Sequence, residues 1–472
     1  MDTAAPARSE RADCADAQLP RFVAGSTMRH VLVMTATGSI GLIAIFFVDF
    51  LSLLYISWLG NPSLTAGVGL GTVVLFLTTS INVGFMIAVG ALVSRSVGAG
   101  DRERARRLAT SSCAHMALTA VLVSAVVLSI LPWLLQELGA RGEVLPTARS
   151  FLRITIPSNV LMALGMGFSG VLRAVGDARR AMYVTLAAAG VTVFLDPLLI
   201  FGFGLGTNGA AIAMVVSRAI FAVVGFQGAV RVHDLMARPR ARDVRADARA
   251  IYAIALPAIA TNVATPLANA FFVRVLGRYG DEAIAATAII DRLVPVAFGG
   301  LFALSGAVGP ILGQNWGAKR FDRMRQALRD AVVFMAAYVG AVWFLLVMLR
   351  GPVALVFNAQ GLTADLVQFF CLICGFVWFF IGLLFVANAA FNNLGFPLLS
   401  TAFNWARATL GVVPFALAGA TLSGPQGAMA GVGIGSVGFG IAAIVTAFRA
   451  IRKLERGNGP VGAAASDRLA PR

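Results

Sequence analysis

The chain has 472 residues, 58% of them hydrophobic and 13% charged, with a mean hydropathy of +0.83. No soluble interior hides that much apolar surface, so a water-soluble fold is excluded and lipid is the solvent. The net charge of +16 brings nucleic-acid binding into question, and the placement of the cations decides against it.

Residues 1–27 are mixed polar, with Arg8, Asp13, Asp16 and Arg21, and contain no short apolar run followed by a cleavage site. They read as a retained cytoplasmic tail. A helix needs about 20 largely apolar residues to cross the hydrocarbon. Twelve such runs follow, at 31–58, 64–94, 110–136, 150–172, 182–204, 209–232, 251–277, 283–314, 328–350, 364–390, 398–420 and 426–449. They predict an all-α membrane protein of twelve transmembrane helices. The polar segment 237–250, with Pro239 and five arginines, separates an N-terminal six-helix lobe (28–236) from a C-terminal one (251–450) as a cytoplasmic linker. Residues 451–472 form a second cytoplasmic tail.

Cations occupy alternate loops. One set holds Arg95, Arg102, Arg104, Arg106 and Arg107, then Arg173, Arg179 and Arg180, then a series from Arg231 to Arg249, then Lys319, Arg320, Arg323 and Arg325; the loops around Asn61, Asn208 and Gly424 have no Lys or Arg. This asymmetry predicts both termini in the cytoplasm and leaves no role for nucleic acid. The segment from Gly98 after the second span repeats at Gly317 after the eighth, an offset of 219 residues; at the same offset Gly176 meets Gly395, and one residue away from it Gly209-Ala210 meets Gly427-Ala428. Because six spans is an even number, both halves start on the same side. The lobes form a parallel repeat about an axis along the membrane normal, with a cleft between them.

Asp49 lies deep in the first span and Asp196 deep in the fifth, 11 and 10 residues before Gly60 and Gly206. At 1.5 Å per residue both sit about 15 Å inside the outer face. An acid at that depth costs several kcal/mol unless it is protonated, paired or wetted, and two that face each other favour a proton or cation between them. Thr192 shares a helix face with Asp196, and Pro197 kinks the helix just beyond it. Pairing with a buried cation such as Arg218 is the structural alternative. In the second half, Asp291 and Arg292 line the cleft or pair structurally, Asn262 and Asn269 bond substrate or a neighbouring helix, and Arg407 is open to either role. Cys371-x-x-Cys374 has no second pair beside it and reads as packing, as do Cys14 and Cys113. His30, His115 and His233 belong to no catalytic constellation, and no phosphate-binding loop is present. The chain is not an enzyme, and transport must draw on an ion gradient.

Val48-Asp49 with Leu59-Gly60, the Leu172-to-Asp177 segment, Leu195-Asp196-Pro197 through Gly202 leading to Gly209-to-Ala213, and Gly313-to-Lys319 resemble, in this order and spacing, the multidrug and toxic compound extrusion (MATE) family. The resemblance covers nearly all of 28–450. It implies V-shaped lobes that rock between outward-open and inward-open states, and secondary active antiport that exports organic, cationic, amphiphilic compounds across the bacterial inner membrane. It also implies a monomer with no cofactor, surrounded by membrane lipid. Asp49 and Asp196 match the family's first-span and fifth-span aspartates associated with cation binding. The family frequently has Asn where Thr192 stands and near Ser169, so these residues are the expected supporting positions. The family also has Thr where Met214 stands, and departures that remove side-chain oxygens favour H⁺ over Na⁺ at Asp49 and Asp196. A lipid-linked oligosaccharide flippase is the rival reading, but its cavity would be cationic.

Overall fold

Backbone polar groups in hydrocarbon have to be satisfied within the segment, and helices do this. The structure, a computed structural model, describes residues 20–457. Arg8, Asp13, Cys14 and Asp16 of the expected tail lie outside the described residues, as do residues 458–472. The helices are α1 Thr27–Ser57, α2 Pro62–Gly98, α3 Arg102–Glu137, α4 Val144–Val175, α5 Ala178–Gly202, α6 Gly206–Val232, α7 Ala241–Tyr279, α8 Asp281–Gly317, α9 Phe321–Val356 and α10 Gly361–Asn393, followed by the helical stretch Pro397–Glu455.

That last stretch is two spans. Ser423 (φ −144°, ψ 28°) and Gly424 (φ 61°, ψ −144°) leave helical geometry, and the chain reverses there. A Cβ on Gly419, Gly431 or Gly435 would lie 1.9, 2.0 or 1.8 Å from the carbonyl oxygen of Gly427, Phe415 or Gly411. These contacts run antiparallel, so 397–422 and 425–455 form a hairpin, α11 and α12, whose backbones meet along glycine, as small residues permit in lipid. The protein is therefore an all-helical membrane protein whose described residues hold twelve spans in two six-helix halves.

Several helices extend beyond the apolar runs because hydropathy marks contact with lipid, whereas hydrogen bonding continues into the polar layer. The clearest case is α7, which starts at Ala241, inside the segment expected as a linker. Its first turns are docked on α3. Asp247 accepts from Arg107 at 3.1 Å and from Ser111 at 2.8 Å, and His115 Nε2 lies 2.9 Å from the Val244 carbonyl.

The two halves meet near the face that carries the described ends of the chain, and the contact follows the repeat. Arg95 of α2 donates from Nε to the Asn393 carbonyl at 2.7 Å, while Gln314 of α8 donates to the Ala174 carbonyl at 2.7 Å. Donors and acceptors are each 219 residues apart, so the two bonds are equivalent across the pseudo-two-fold axis. The glycines repeat the relation. A Cβ on Gly98 would lie 2.0 Å from the Gln314 oxygen, and one on Gly317 would lie 2.1 Å from the Arg95 oxygen. The Arg95 guanidinium also stacks over Trp316, 4.1 Å from the ring centroid.

Residues 20–26, expected as the end of a tail, strap this contact. Phe22 is buried; its amide donates to Gln314 Oε1 at 2.9 Å, and its carbonyl accepts from Asn315 and Arg323, both at 3.1 Å. Gly176, at φ 91°, ends α4 beneath the strap, where a Cβ would lie 2.9 Å from the Arg21 side chain. Further along, α1 meets α8 at Gly38 and Ala303, and α7 meets α2 at Ile259 and Gly84. Beyond these levels Phe47, Asp49 and Phe50 of α1, Leu267 and Asn269 of α7, and Asp291 and Arg292 of α8 are all exposed. The halves are thus closed on the face of the chain ends and separate towards the opposite face.

Asp177 holds the turn between α4 and α5 on the closed face. Its carboxylate caps α5 by accepting from the Arg180 amide at 3.0 Å, pairs with the Arg180 guanidinium at 2.5 Å, and lies 2.8 Å from His233 Nε2 at the end of α6. Burial pushes this carboxyl up, but the hydrogen bonds from Arg180 and His233 outweigh it and hold the pKa below 3.8. A depressed carboxylate contributes stability that is complete above its unfolded value and is lost as pH falls through the native one. Asp177→Asn, which keeps a capping side chain, is therefore expected to lower the thermal midpoint at pH 7. The difference from the parent should shrink as pH falls below 3.8, the ordinary carboxyl value; a difference that does not change with pH would contradict this role.

Candidate functional site

The site forms where α1 and α5 pass each other in the N-terminal half. Asp196 is 2% exposed, and its Oδ2 accepts a hydrogen bond from the Ser52 hydroxyl of α1. Ser52 stands one turn beyond Asp49, so the two acids flank one hydroxyl and lie within electrostatic reach of each other. Asp49 is exposed on the surface of α1, while Asp196 is buried. The expected bend at Pro197 takes the form of a π-helical turn, Leu198–Gly202, which absorbs the missing proline donor directly beyond the acid.

Arg218 does not neutralise the pair. Its guanidinium donates to the Thr155 carbonyl and the Ser158 hydroxyl, both at 2.9 Å, at the 3₁₀ break Ile156–Ser158 inside α4. It lies within electrostatic reach of Asp49, yet the ion pairs among the described residues all involve other acids. The expected supporting residues stand differently. Thr192 is buried, but its hydroxyl donates to the Ala188 carbonyl of its own helix at 3.1 Å. Ser169 is buried with no hydrogen-bond partner for its hydroxyl. Neither is bonded to Asp49 or Asp196. Ser52, which the sequence reading did not single out, takes the place expected of Thr192. The signal was present: a hydroxyl three residues after the aspartate in an otherwise apolar run shares its helix face.

In the other half Asn262 is partly buried with Nδ2 unpaired, and Asn269 is exposed. Asp291 and Arg292 are both exposed and unpaired with each other, since adjacent residues on a helix point in different directions. Among the described residues no three His, Cys, Asp or Glu side chains gather as a metal centre. Two carboxylates and one hydroxyl can take up a proton or hold a small cation.

The sequence profile of the MatE family matches residues 39–198 and 257–417, one copy in each half. The FAD transporter of Shewanella oneidensis is 28% identical over 429 residues, covering 89% of this chain and 94% of that protein. The multidrug export protein MepA of Staphylococcus aureus is 25% identical over 324 residues, 67% of this chain and 71% of the relative. Among solved structures, the Vibrio cholerae MATE transporter VcmN in its bent form superposes with a TM-score of 0.86 at 22% identity, covering 91% of this chain and 98% of that one. With both six-helix halves matched, the chain belongs to the MatE family and is a membrane transporter, not an enzyme.

Proposed function

We propose that this transporter exports cationic, amphiphilic organic compounds across the bacterial inner membrane in exchange for inward-moving protons, which it binds at Asp49 and Asp196. The termini are cytoplasmic, so the closed face is the cytoplasmic one and Asp49 is reached from outside. The moving bodies are the lobes 28–236 and 251–450, joined through 237–250, and the working unit is a monomer. The observation that carries this reading is the acid pair at membrane depth, with Ser52 bonded to Asp196 one turn beyond Asp49 and neither acid in an ion pair among the described residues. Protonation from the open side neutralises the pair, releases a bound cation and favours the inward-open state; deprotonation to the cytoplasm resets it. Such coupling requires the two states to differ in proton affinity. The single hydroxyl bonded to Asp196, with none bonded to Asp49, supports H⁺ over Na⁺, because sodium takes several oxygens at once.

The match along 94% of the FAD transporter favours a second reading, in which the exported compound is a flavin dinucleotide. Counterflow in proteoliposomes, with pH and sodium gradients imposed separately and either a lipophilic fluorescent cation or FAD as substrate, tests both readings. A pH gradient should accelerate export of the cation. Acceleration by sodium alone would overturn the choice of ion, and acceleration by neither gradient would overturn antiport.

A further inference from the structure

The C-terminal half buries a cation that has no ion-pair partner among the described residues. Arg407 is 7% exposed and begins a π-helical turn, Arg407–Val412, within α11. Ten residues beyond Pro397, it lies about 15 Å into the helix, at membrane depth. Its Nε has no hydrogen-bond partner, and it joins no ion pair among the described residues. Arg218, the buried arginine of the other half, is by contrast bonded to two oxygens.

The surroundings are specific. Ala408 and Val412 pack on Ala264 and Ala268 of α7; a Cβ on Gly411 would lie 2.9 Å from the Gly435 oxygen of α12; Asn404, one turn before Arg407, donates to Asn388 of α10 at 2.9 Å. Arg407 is thus held among α7, α10 and α12. On α7, where Thr261 meets Ser400 and Thr401 of α11, Asn262 Nδ2 is a second buried donor without an acceptor. A buried unpaired charge is costly, and intramembrane arginines that persist do so by meeting an anion or water. A π-turn in a long helix is also a frequent mark of a binding position.

We propose that Arg407 anchors an anion subsite in the C-terminal lobe, which takes the carboxylate or phosphate of a transported compound. The proposal rests on the transporter reading but not on the coupling role of the aspartates. It widens the substrate class from cations to molecules bearing an acidic group, with the guanidinium as a planar, two-pronged partner.

The test uses the full chain in phosphatidylcholine nanodiscs and follows thermal unfolding with phenyl phosphate or benzyltrimethylammonium. Phenyl phosphate should raise the parent midpoint by about 2–4 °C at saturation. The rise should shrink in Arg407→Lys and disappear in Arg407→Gln, while benzyltrimethylammonium acts equally on all three. Without ligand, Arg407→Gln should be no less stable than the parent, because an unpaired charge has been removed. A lowered ligand-free midpoint, or failure of Arg407→Gln to fold, would show a structural arginine and overturn the proposal. So would an equal phenyl phosphate effect on parent and Arg407→Gln, no effect on the parent, or stabilisation only by added phosphatidylglycerol, which would assign the site to lipid. Asp49→Asn should keep the phenyl phosphate shift, so failure of the coupling reading would be recognised separately.

Discussion

Gly317→Val should prise the two halves apart at the face where they are closed. The added Cβ would stand 2.1 Å from the Arg95 carbonyl oxygen, a backbone atom in the last turn of α2 that already accepts from the Ala99 amide and cannot rotate away. Overpacking of this kind costs about 1–3 kcal/mol, and the cost falls only on the state in which α2 and α8 touch. A difference of that size changes a two-state population by roughly 5- to 150-fold. Ser94 is buried against Gly313 in the same contact, so a Ser94→Cys reporter in a background without Cys14, Cys113, Cys371 and Cys374 is shielded while the halves are closed. Its reaction with a maleimide added on the side of the closed face should accelerate about tenfold or more when Gly317→Val is added. An unchanged rate would mean that this contact does not govern opening. Gly98→Val, the equivalent change on the other side of the axis, should act in the same direction.

Asp49→Asn and Asp196→Asn should each reduce export of a lipophilic cation by about tenfold or more, since a differential affinity of 1.4 kcal/mol already corresponds to a factor of ten. Asparagine keeps the shape and some hydrogen bonding but binds no proton, so the two conformational states lose their reason to differ in ion affinity. Expression and thermal stability should be unchanged or improved, because a costly intramembrane charge is gone. Reduced export with intact folding separates this outcome from simple destabilisation. Normal export by both variants would show that the acids are structural.

The spans and the duplication were legible in the sequence because lipid selects long apolar runs and because Gly98 and Gly317 repeat with their neighbours. The acids were legible for the opposite reason: a carboxylate in such a run stands out. Ser52 did not stand out, since a serine is unremarkable in an apolar helix until its partner 144 residues away is known. The Arg95 contact was hidden likewise. As residues in a loop motif, Arg95 and Gln314 look like membrane-face markers, and only the folded halves bring each to the other's carbonyl. The strap at Phe22 and the docking of Asp247 were missed because both lie in segments whose polarity reads as linker or tail, while a few buried contacts suffice to order them.

The central claim is that substrate and proton compete through Asp49 and Asp196, and proton release on substrate binding measures it most directly. Purified protein in weakly buffered solution, mixed with a saturating lipophilic cation below the pH at which the pair is fully ionised, should release about one proton per molecule. The double variant Asp49→Asn, Asp196→Asn should release none. Equal release from the parent and the double variant would place the coupling proton elsewhere.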